Sequence, residues 1–136
     1  MNIFKIDDTD FGIGKVIFTS SYERGTISVV IEADKERYFQ EVAPNEDSPW
    51  AWGGHPPRLN LRELPSNDGT VAVEITEEIY EDDEKYPNVY DISLVFYEHY
   101  DIYGTLVIND NYIIVKGTVD FQGDIRSLEM VADKPK

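Results

Sequence analysis

Apolar and polar residues alternate along most of this chain, and that pattern indicates β-strands that bury one face. The longest such run spans residues 88–121. In its first part every second residue is large and apolar: Tyr90, Ile92, Leu94 and Phe96. About half of the residues between them are apolar as well, so we expect a central strand that is covered on one face and partly on the other. The predicted fold is organised around this run.

The turn inside this run can be placed from the parity of the flanking residues. A two-residue loop at Asp110 and Asn111 brings every large aliphatic side chain of the two strands onto one face, and a shift by one residue would scatter them. The predicted pairs are Ile108 with Ile113, Leu106 with Val115, and Ile102 with Val119. Asp and Asn tolerate the positive φ that such a loop needs, so we predict that conformation here.

The same register places Gly104 opposite Gly117 on the core face. Two facing glycines have no side chains to fill the space between them. We expect either a bulky neighbour to fill it, with Trp50, Trp52 or a phenylalanine as the candidates, or a sharp bend of the strands at this point.

Shorter stretches extend the pattern on both sides of this run. Further strands are predicted at residues 2–6, 14–20, 26–34, 58–64, 70–76 and 124–131. We expect the second and third of these to form a hairpin through the turn at 22–25, and the fourth and fifth to form another through the turn at 65–69. The last strand is expected to set Glu129 beside Lys116 as a cross-strand pair.

Residues 34–42 fit two structures. Asp34 can cap a short helix that carries Tyr38 and Val42 on one face, or residues 37–42 can form a strand. The neighbouring segments are all β-like, and for this reason we favour the strand.

Together these segments predict an all-β fold with little or no helix. The chain of 136 residues is long enough to bury a core in a single domain, which we place at residues 1–132 with a short tail at 133–136. Roughly eight or nine strands joined by short connections are typical of an antiparallel meander. The meander is either folded into a β-sandwich or closed as an up-and-down barrel, and the pattern does not choose between them.

Composition narrows the functional classes. The absence of cysteine excludes disulfides, zinc sites with cysteine ligands and a thiol nucleophile. A formal net charge of −15, from 27 acidic and 12 basic residues, opposes direct binding to nucleic acid or an anionic membrane and favours a basic partner. No apolar run is long enough to span a bilayer and no signal peptide is recognisable, so we expect a soluble, cytoplasmic protein of unknown oligomeric state.

No catalytic or cofactor motif is present at a specific spacing, so we expect a non-enzymatic protein without a cofactor. His99 and Asp101 have the spacing that puts two side chains on one strand face, and His55 could complete a set of metal ligands. The more ordinary interpretation is that His99 and Asp101 lie at a solvated strand end. A small metal-dependent enzyme at these three residues is therefore the least favoured hypothesis, and no metal site is predicted.

A second candidate site is the loop at residues 43–57, where proline and glycine exclude a central strand or a helix interior. If exposed, Trp50 and Trp52 would stack on a sugar or an apolar ligand, with His55 and Arg58 at the rim. The alternative is that at least one indole folds back over the core. The loop thus supports a second hypothesis, a ligand-binding sandwich or barrel.

The leading hypothesis rests on the acidic segment at residues 77–87, which we expect to be an exposed connection because its charges repel one another. Tyrosines among carboxylates suit a surface that docks onto a basic groove. We predict a protein-binding module that neutralises a basic partner, as toxin-immunity proteins and nucleic-acid mimics do. The candidate contact residues are Glu77, Glu78, Tyr80, Glu81, Asp82, Asp83, Glu84, Tyr86, Tyr97 and Tyr103.

Overall fold

The structure is a computed structural model that describes residues 2–51, 54–81 and 92–135. The strands within these ranges are β1 (Ile3–Ile6), β2 (Thr9–Asp10), β3 (Lys15–Ser21), β4 (Thr26–Glu32), β5 (Arg58–Pro65), β6 (Val71–Ile75), β7 (Ser93–Phe96), β8 (Glu98–Tyr100), β9 (Ile102–Ile108), β10 (Tyr112–Phe121) and β11 (Asp124–Asp133). They form a six-stranded antiparallel sheet in the order β2-β1-β11-β10-β9-β6 and a five-stranded one in the order β3-β4-β5-β7-β8. The fold is an all-β sandwich, which confirms the predicted class.

The described ranges contain eleven strands rather than the eight or nine predicted. The difference comes from strands such as β2 and β8, which have two and three residues and are too short to show an alternation of apolar and polar positions. At the other extreme, β11 runs through Asp133, two residues beyond the end predicted for it.

The ladder between β9 and β10 has the predicted register, with Ile108 opposite Ile113 and each of the other predicted pairs in place. The conformation predicted for its loop is wrong, however, because neither loop residue has a positive φ. Instead, the Asn109 side-chain oxygen accepts hydrogen bonds from the backbone N–H groups of Asn111 at 2.9 Å and Tyr112 at 2.8 Å. A side chain that satisfies the turn amides removes the need for a left-handed loop.

The glycine pair admits no side chain between the strands. Gly104 has a φ of 140°, and a Cβ atom built on Gly117 would overlap the Tyr103 carbonyl oxygen and lie 2.7 Å from the Gly104 Cα. The two backbones themselves occupy the space that a bulky neighbour was expected to fill. Glycine is required here for close backbone approach.

The hairpin predicted between residues 58–64 and 70–76 is wrong. β5 pairs with β4 and β7 in the five-stranded sheet, whereas β6 pairs with β9 in the six-stranded sheet. Between them only an isolated bridge joins Asn67 and Thr70. Alternation fixes which face of a strand is buried and leaves the partner strand open, so this connection could cross the sandwich while keeping both apolar faces inward.

The strand favoured for residues 34–42 is also wrong. The segment is a helical turn, α1 (Lys35–Arg37), that continues as a π-helical turn (Tyr38–Val42). Asp34 caps it, since its carboxylate accepts a hydrogen bond from the Arg37 N–H at 3.0 Å. Tyr38 is fully buried and donates to the Trp50 carbonyl at 2.6 Å, which ties the turn to the following loop.

A second short helix, α2 (Glu77–Glu81), lies within the segment that was expected to be an exposed connection. Ile79 is 3% exposed and belongs to the core. Charge repulsion along this segment is therefore outweighed locally by burial of an apolar residue at its centre. In the part of the chain that the structure describes, neither helix has the length and hydropathy needed to cross a membrane.

An aromatic cluster occupies one end of the core. Phe11 is fully buried, with its ring centroid 5.5 Å from that of Trp50 and 6.0 Å from that of Phe96. Trp50 is 8% exposed, stacks on Phe96 at 5.8 Å, and donates from its indole nitrogen to the Thr9 hydroxyl at 3.1 Å. The long loop before β5 is thus held to the sandwich by its tryptophan.

Asp7 joins the turn between β1 and β2 to β11. Its carboxylate accepts hydrogen bonds from the Ser127 N–H at 3.0 Å and from the Arg126 guanidinium at 3.0 Å. These two partners hold the pKa of the Asp7 carboxyl below its ordinary value, the Arg126 hydrogen bond being the larger cause. The residue has a φ of 50°, which asparagine would tolerate equally well.

We expect Asp7→Asn to lower the free energy of unfolding by about 0.5–1 kcal/mol at pH 7, because the pair is partly exposed to solvent. The folded-state pKa lies below the unfolded one, so the carboxylate contributes stability above the ordinary value of 3.8 and loses it as the pH falls through the folded-state pKa. Urea unfolding at pH 7 and near pH 2.5 checks this, with Asp8→Asn as the exposed neighbouring control. An equal loss at both pH values would contradict it.

Candidate functional site

Several of the sequence-predicted residues that the structure describes lie on two separate surfaces. The first, the acidic face, consists of Glu77, Asp101, Tyr103 and Asp120. Glu77 is the first residue of α2, Asp101 lies between β8 and β9, and the other two lie on β9 and β10. The backbone N–H of Asp120 donates to the Asp101 carbonyl at 3.0 Å, which fixes the ends of these strands side by side.

The carboxylates of the acidic face act on one another. Partial burial, and then the nearby charge of Asp120, raise the pKa of the Asp101 carboxyl, while a hydrogen bond from Tyr103 opposes the shift. Burial raises the pKa of the Tyr103 hydroxyl too, followed in effect by the charges of Asp101 and Glu77. A carboxyl with a raised folded-state pKa opposes folding as the pH rises through that range. A cation placed against this face would relieve the repulsion.

Tyr80 has a structural role that the sequence did not indicate. Its hydroxyl lies 3.0 Å from the Ile92 carbonyl oxygen and accepts a hydrogen bond from the Ile102 N–H at 3.0 Å. Burial raises the pKa of this hydroxyl far above its ordinary value. Its ring contacts that of Tyr103 edge to face at 5.8 Å. Tyr80 thus holds α2 against β9 and supports the acidic face from beneath.

The other predicted contact residues are placed as follows. Glu78 and Glu81 are exposed on α2. Tyr97 is 70% exposed and lies in the turn between β7 and β8 of the five-stranded sheet. The remaining predicted residues, Asp82, Asp83, Glu84 and Tyr86, lie outside the described residues.

The second surface is a cleft on the outer face of the five-stranded sheet. Residues directly opposite one another in an antiparallel ladder share a face. Successive registers therefore align one row across all five strands: Lys15, Glu32, Arg58, Val95 and His99. The row begins at the first residue of β3 and ends in the middle of β8, and every member of it lines the cleft.

This cleft, here named the basic cleft, has a volume of about 640 Å³. Residues from the loop before β5 and from the start of α1 complete its wall: His55, Pro56, Pro57 and Lys35. It brings together four residues that the sequence had singled out, namely His55, Arg58, Tyr97 and His99. Lys15, Glu32 and Lys35 were missed. The predicted hairpin register already set Lys15 opposite Glu32, and that pairing was the available signal.

Tyr97 is the single residue at which the chain reverses direction between β7 and β8. Phe96 pairs with Glu98, so one residue spans the turn, and Tyr97 has a φ of 68°. A bulky residue in this conformation is uncommon and costs about 1–3 kcal/mol, which the paired strands on either side must offset. The consequence is an aromatic ring held in solvent at the wall of the cleft.

The three weak metal candidates do not assemble. His55 and His99 both line the basic cleft, but Asp101 does not, and its side chain is hydrogen-bonded to Tyr103. His99 Nδ1 lies 3.2 Å from the Ser93 hydroxyl. Within the described ranges no three His, Cys, Asp or Glu side chains are grouped so that they could hold a metal ion.

Of the two tryptophans of the loop, only Trp50 lies within the described residues. Trp50 is buried in the aromatic cluster, and Trp52 lies outside the described residues. His55 and Arg58, expected at the rim of a tryptophan platform, instead face the basic cleft.

Comparison with known proteins gives no relative from which a function could be transferred. No protein-family model matches the chain, and neither curated proteins nor solved structures give a significant match.

Proposed function

We propose that this protein is an acidic binding module that docks onto a basic protein partner, in the manner of toxin-immunity proteins and nucleic-acid mimics. The observation that carries the proposal is the acidic face, where Asp101, Asp120 and Glu77 are held close enough to act on the same tyrosine hydroxyl. A net charge of −15 supports it, because the summed field speeds encounter with basic proteins.

The arrangement of the acidic face suits recognition of lysine or arginine. Asp101 and Asp120 project from strand ends whose backbones are hydrogen-bonded, so little ordering is required when a cation binds. Tyr103 is half-buried beside them and offers an aromatic surface with a polar tip. A partner cation would also lower the raised pKa of the Asp101 carboxyl, which couples binding to the release of protons when the pH is near that pKa.

The test separates the acidic face from net charge. One triple variant, Glu77→Gln, Asp101→Asn and Asp120→Asn, removes the charges of the face. A matched triple variant, Glu23→Gln, Glu36→Gln and Asp47→Asn, removes three charges from exposed positions on other loops and turns. Both change the net charge equally, so a difference between them reports on position alone.

Proteins retained by the immobilised chain at about 50 mM salt are eluted at about 300 mM and identified, and their Kd values for each variant are then measured. We expect a saturable basic partner whose affinity falls at least about tenfold for the acidic-face variant and less than about twofold for the matched one. Equal losses for the two variants, or retention without saturation, would overturn the proposal.

A further inference from the structure

The basic cleft has the opposite charge to the chain as a whole. Over the full sequence, acidic residues outnumber lysine and arginine by 27 to 12. The wall of the cleft carries Lys15, Lys35 and Arg58 against a single carboxylate, that of Glu32. Both histidines of the chain line it as well. The local balance of charge is thus reversed at this cleft.

Among the described residues, no carboxylate forms a salt bridge with a cation of the cleft. Salt bridges within the described ranges engage other basic side chains: Arg24, Arg37, Lys116 and Arg126. None of them includes Lys15, Lys35 or Arg58, although Glu32 stands between Lys15 and Arg58 in the row. In a chain with so large an excess of acid, three cations that no described carboxylate pairs with are available around one cleft to an anion from outside the protein.

Part of the lining of the cleft is apolar. Val95 lies between Arg58 and His99 in the row and is 9% exposed, which makes it part of the floor. Pro56 and Pro57 form a rigid side wall, and Tyr97 holds its exposed ring at the same cleft. A ligand that fits must therefore combine a charged group with a flat or apolar body.

We infer that the basic cleft binds a small organic anion, a carboxylate or phosphate ester carried on a flat apolar body. The anionic group lies against Arg58 and Lys15, and the body covers Val95 and packs on Tyr97. The guanidinium of Arg58 can give two parallel hydrogen bonds to either kind of anion. A volume of about 640 Å³ lies within the usual range for small-molecule sites. The acidic face takes no part in this site, so the inference stands apart from the proposed function.

Phenyl phosphate and benzoate serve as probes of the anionic group, with benzyl alcohol as the neutral control and benzylammonium as the cationic one. Each is titrated into the full chain while the backbone amide resonances are followed by NMR. We expect both anions to shift the amides of residues 15, 58, 95, 97 and 99 saturably, and both controls to leave them unchanged. Equal binding of benzyl alcohol, or no saturable shift with either anion, would overturn the inference.

Substitutions of single basic residues show which positive charges are needed to bind the anion. Arg58→Gln and Lys15→Gln are each expected to weaken phenyl phosphate binding by at least about tenfold, since each removes a charge-assisted hydrogen bond. Arg62→Gln is the matched control, because Arg62 is exposed on the same strand and does not line the cleft. Amide spectra of the free variants show whether each remains folded. An equal loss of binding in Arg62→Gln would show that the weaker binding comes from the net charge of the protein, and it would overturn the inference.

Two further measurements complete the test. Inorganic phosphate alone is expected to bind at least about tenfold more weakly than phenyl phosphate, because it leaves Val95 and Tyr97 uncovered. Equal affinities would overturn the role given to these two residues. The acidic-face triple variant is expected to bind phenyl phosphate as tightly as the unaltered protein, so failure of one proposal is distinguishable from failure of the other.

Discussion

Gly117→Ala is expected to destabilise the protein by about 3–5 kcal/mol, enough to unfold much of the population at moderate temperature. The added methyl group would overlap the Tyr103 carbonyl oxygen and press on the Gly104 Cα. Both obstacles are backbone atoms of the adjoining strand, so no side chain can rotate away to make room. This overlap can be relieved only if β9 and β10 move apart within their continuous ladder.

Urea unfolding followed by circular dichroism measures this loss. Gly25→Ala is the control for adding a methyl group without a clash, since Gly25 has a positive φ, of 63°, and nothing lies within 4 Å of its added Cβ. It is expected to cost about 1 kcal/mol, from backbone strain alone. A similar small cost at Gly117 would mean that the strands are farther apart than the structure has them.

Trp50→Ala is expected to cost about 3–5 kcal/mol as well, because it removes a large ring from a packed aromatic cluster and leaves a cavity. The ring contacts Phe11 and Phe96, and its nitrogen donates to Thr9. The same substitution frees the loop before β5, so we expect faster proteolysis between residues 43 and 57 in the native state.

Two conservative variants divide this effect into its parts. Trp50→Phe keeps a ring in the cluster and loses the hydrogen bond, and Thr9→Val loses the hydrogen bond alone. Each is expected to cost about 1 kcal/mol or slightly more. Unfolding midpoints in urea rank the three variants. A Trp50→Ala loss no larger than that of Thr9→Val would contradict the view that the indole is packed in the core.

The fold class and one long register were predictable because they depend on apolar residues. Leu106 and Val115 must face the same side if the core is to be continuous, and this requirement fixes their pairing. The partner of β6 was not predictable in this way. Its inward residues, such as Val71, fit the core equally well beside β5 or β9, and only the packing of the whole sandwich decides between them.

A helical turn was considered but not favoured for residues 34–42, and none was predicted for residues 77–81. In both segments a few contacts outweigh the local pattern. The segment at 34–42 is surrounded by strands, yet the Asp34 cap and burial of Tyr38 are sufficient to hold it in a helical conformation. In the acidic segment the same principle applies to Ile79. Single buried residues of this kind carry no periodic signal, so they are visible only once the core is known.

The candidate sites were predictable in part. His55 was singled out with His99 as a metal candidate and with Arg58 at the rim of the tryptophan loop, and the structure places all three at one cleft. Lys15 and Lys35 were not singled out. Lys15 lies on the outer face of a sheet and Lys35 at the start of α1, and only the tertiary fold brings the two to one cleft. The sequence indicated some of the residues that line the basic cleft, and the order of the strands determines which residues lie beside them.

The pairing of β1 with β11 has a consequence for how the fold is reached. Ile3 lies opposite Val131, and the Asp7 turn is fastened to Ser127, so this ladder joins segments from opposite ends of the described chain. Contacts so distant in sequence raise the contact order and slow folding, whereas the hairpins from β9 to β11 need only short loops to close. We therefore expect those hairpins to form early and β1 to dock late, which leaves one edge of β11 unpaired in any folding intermediate.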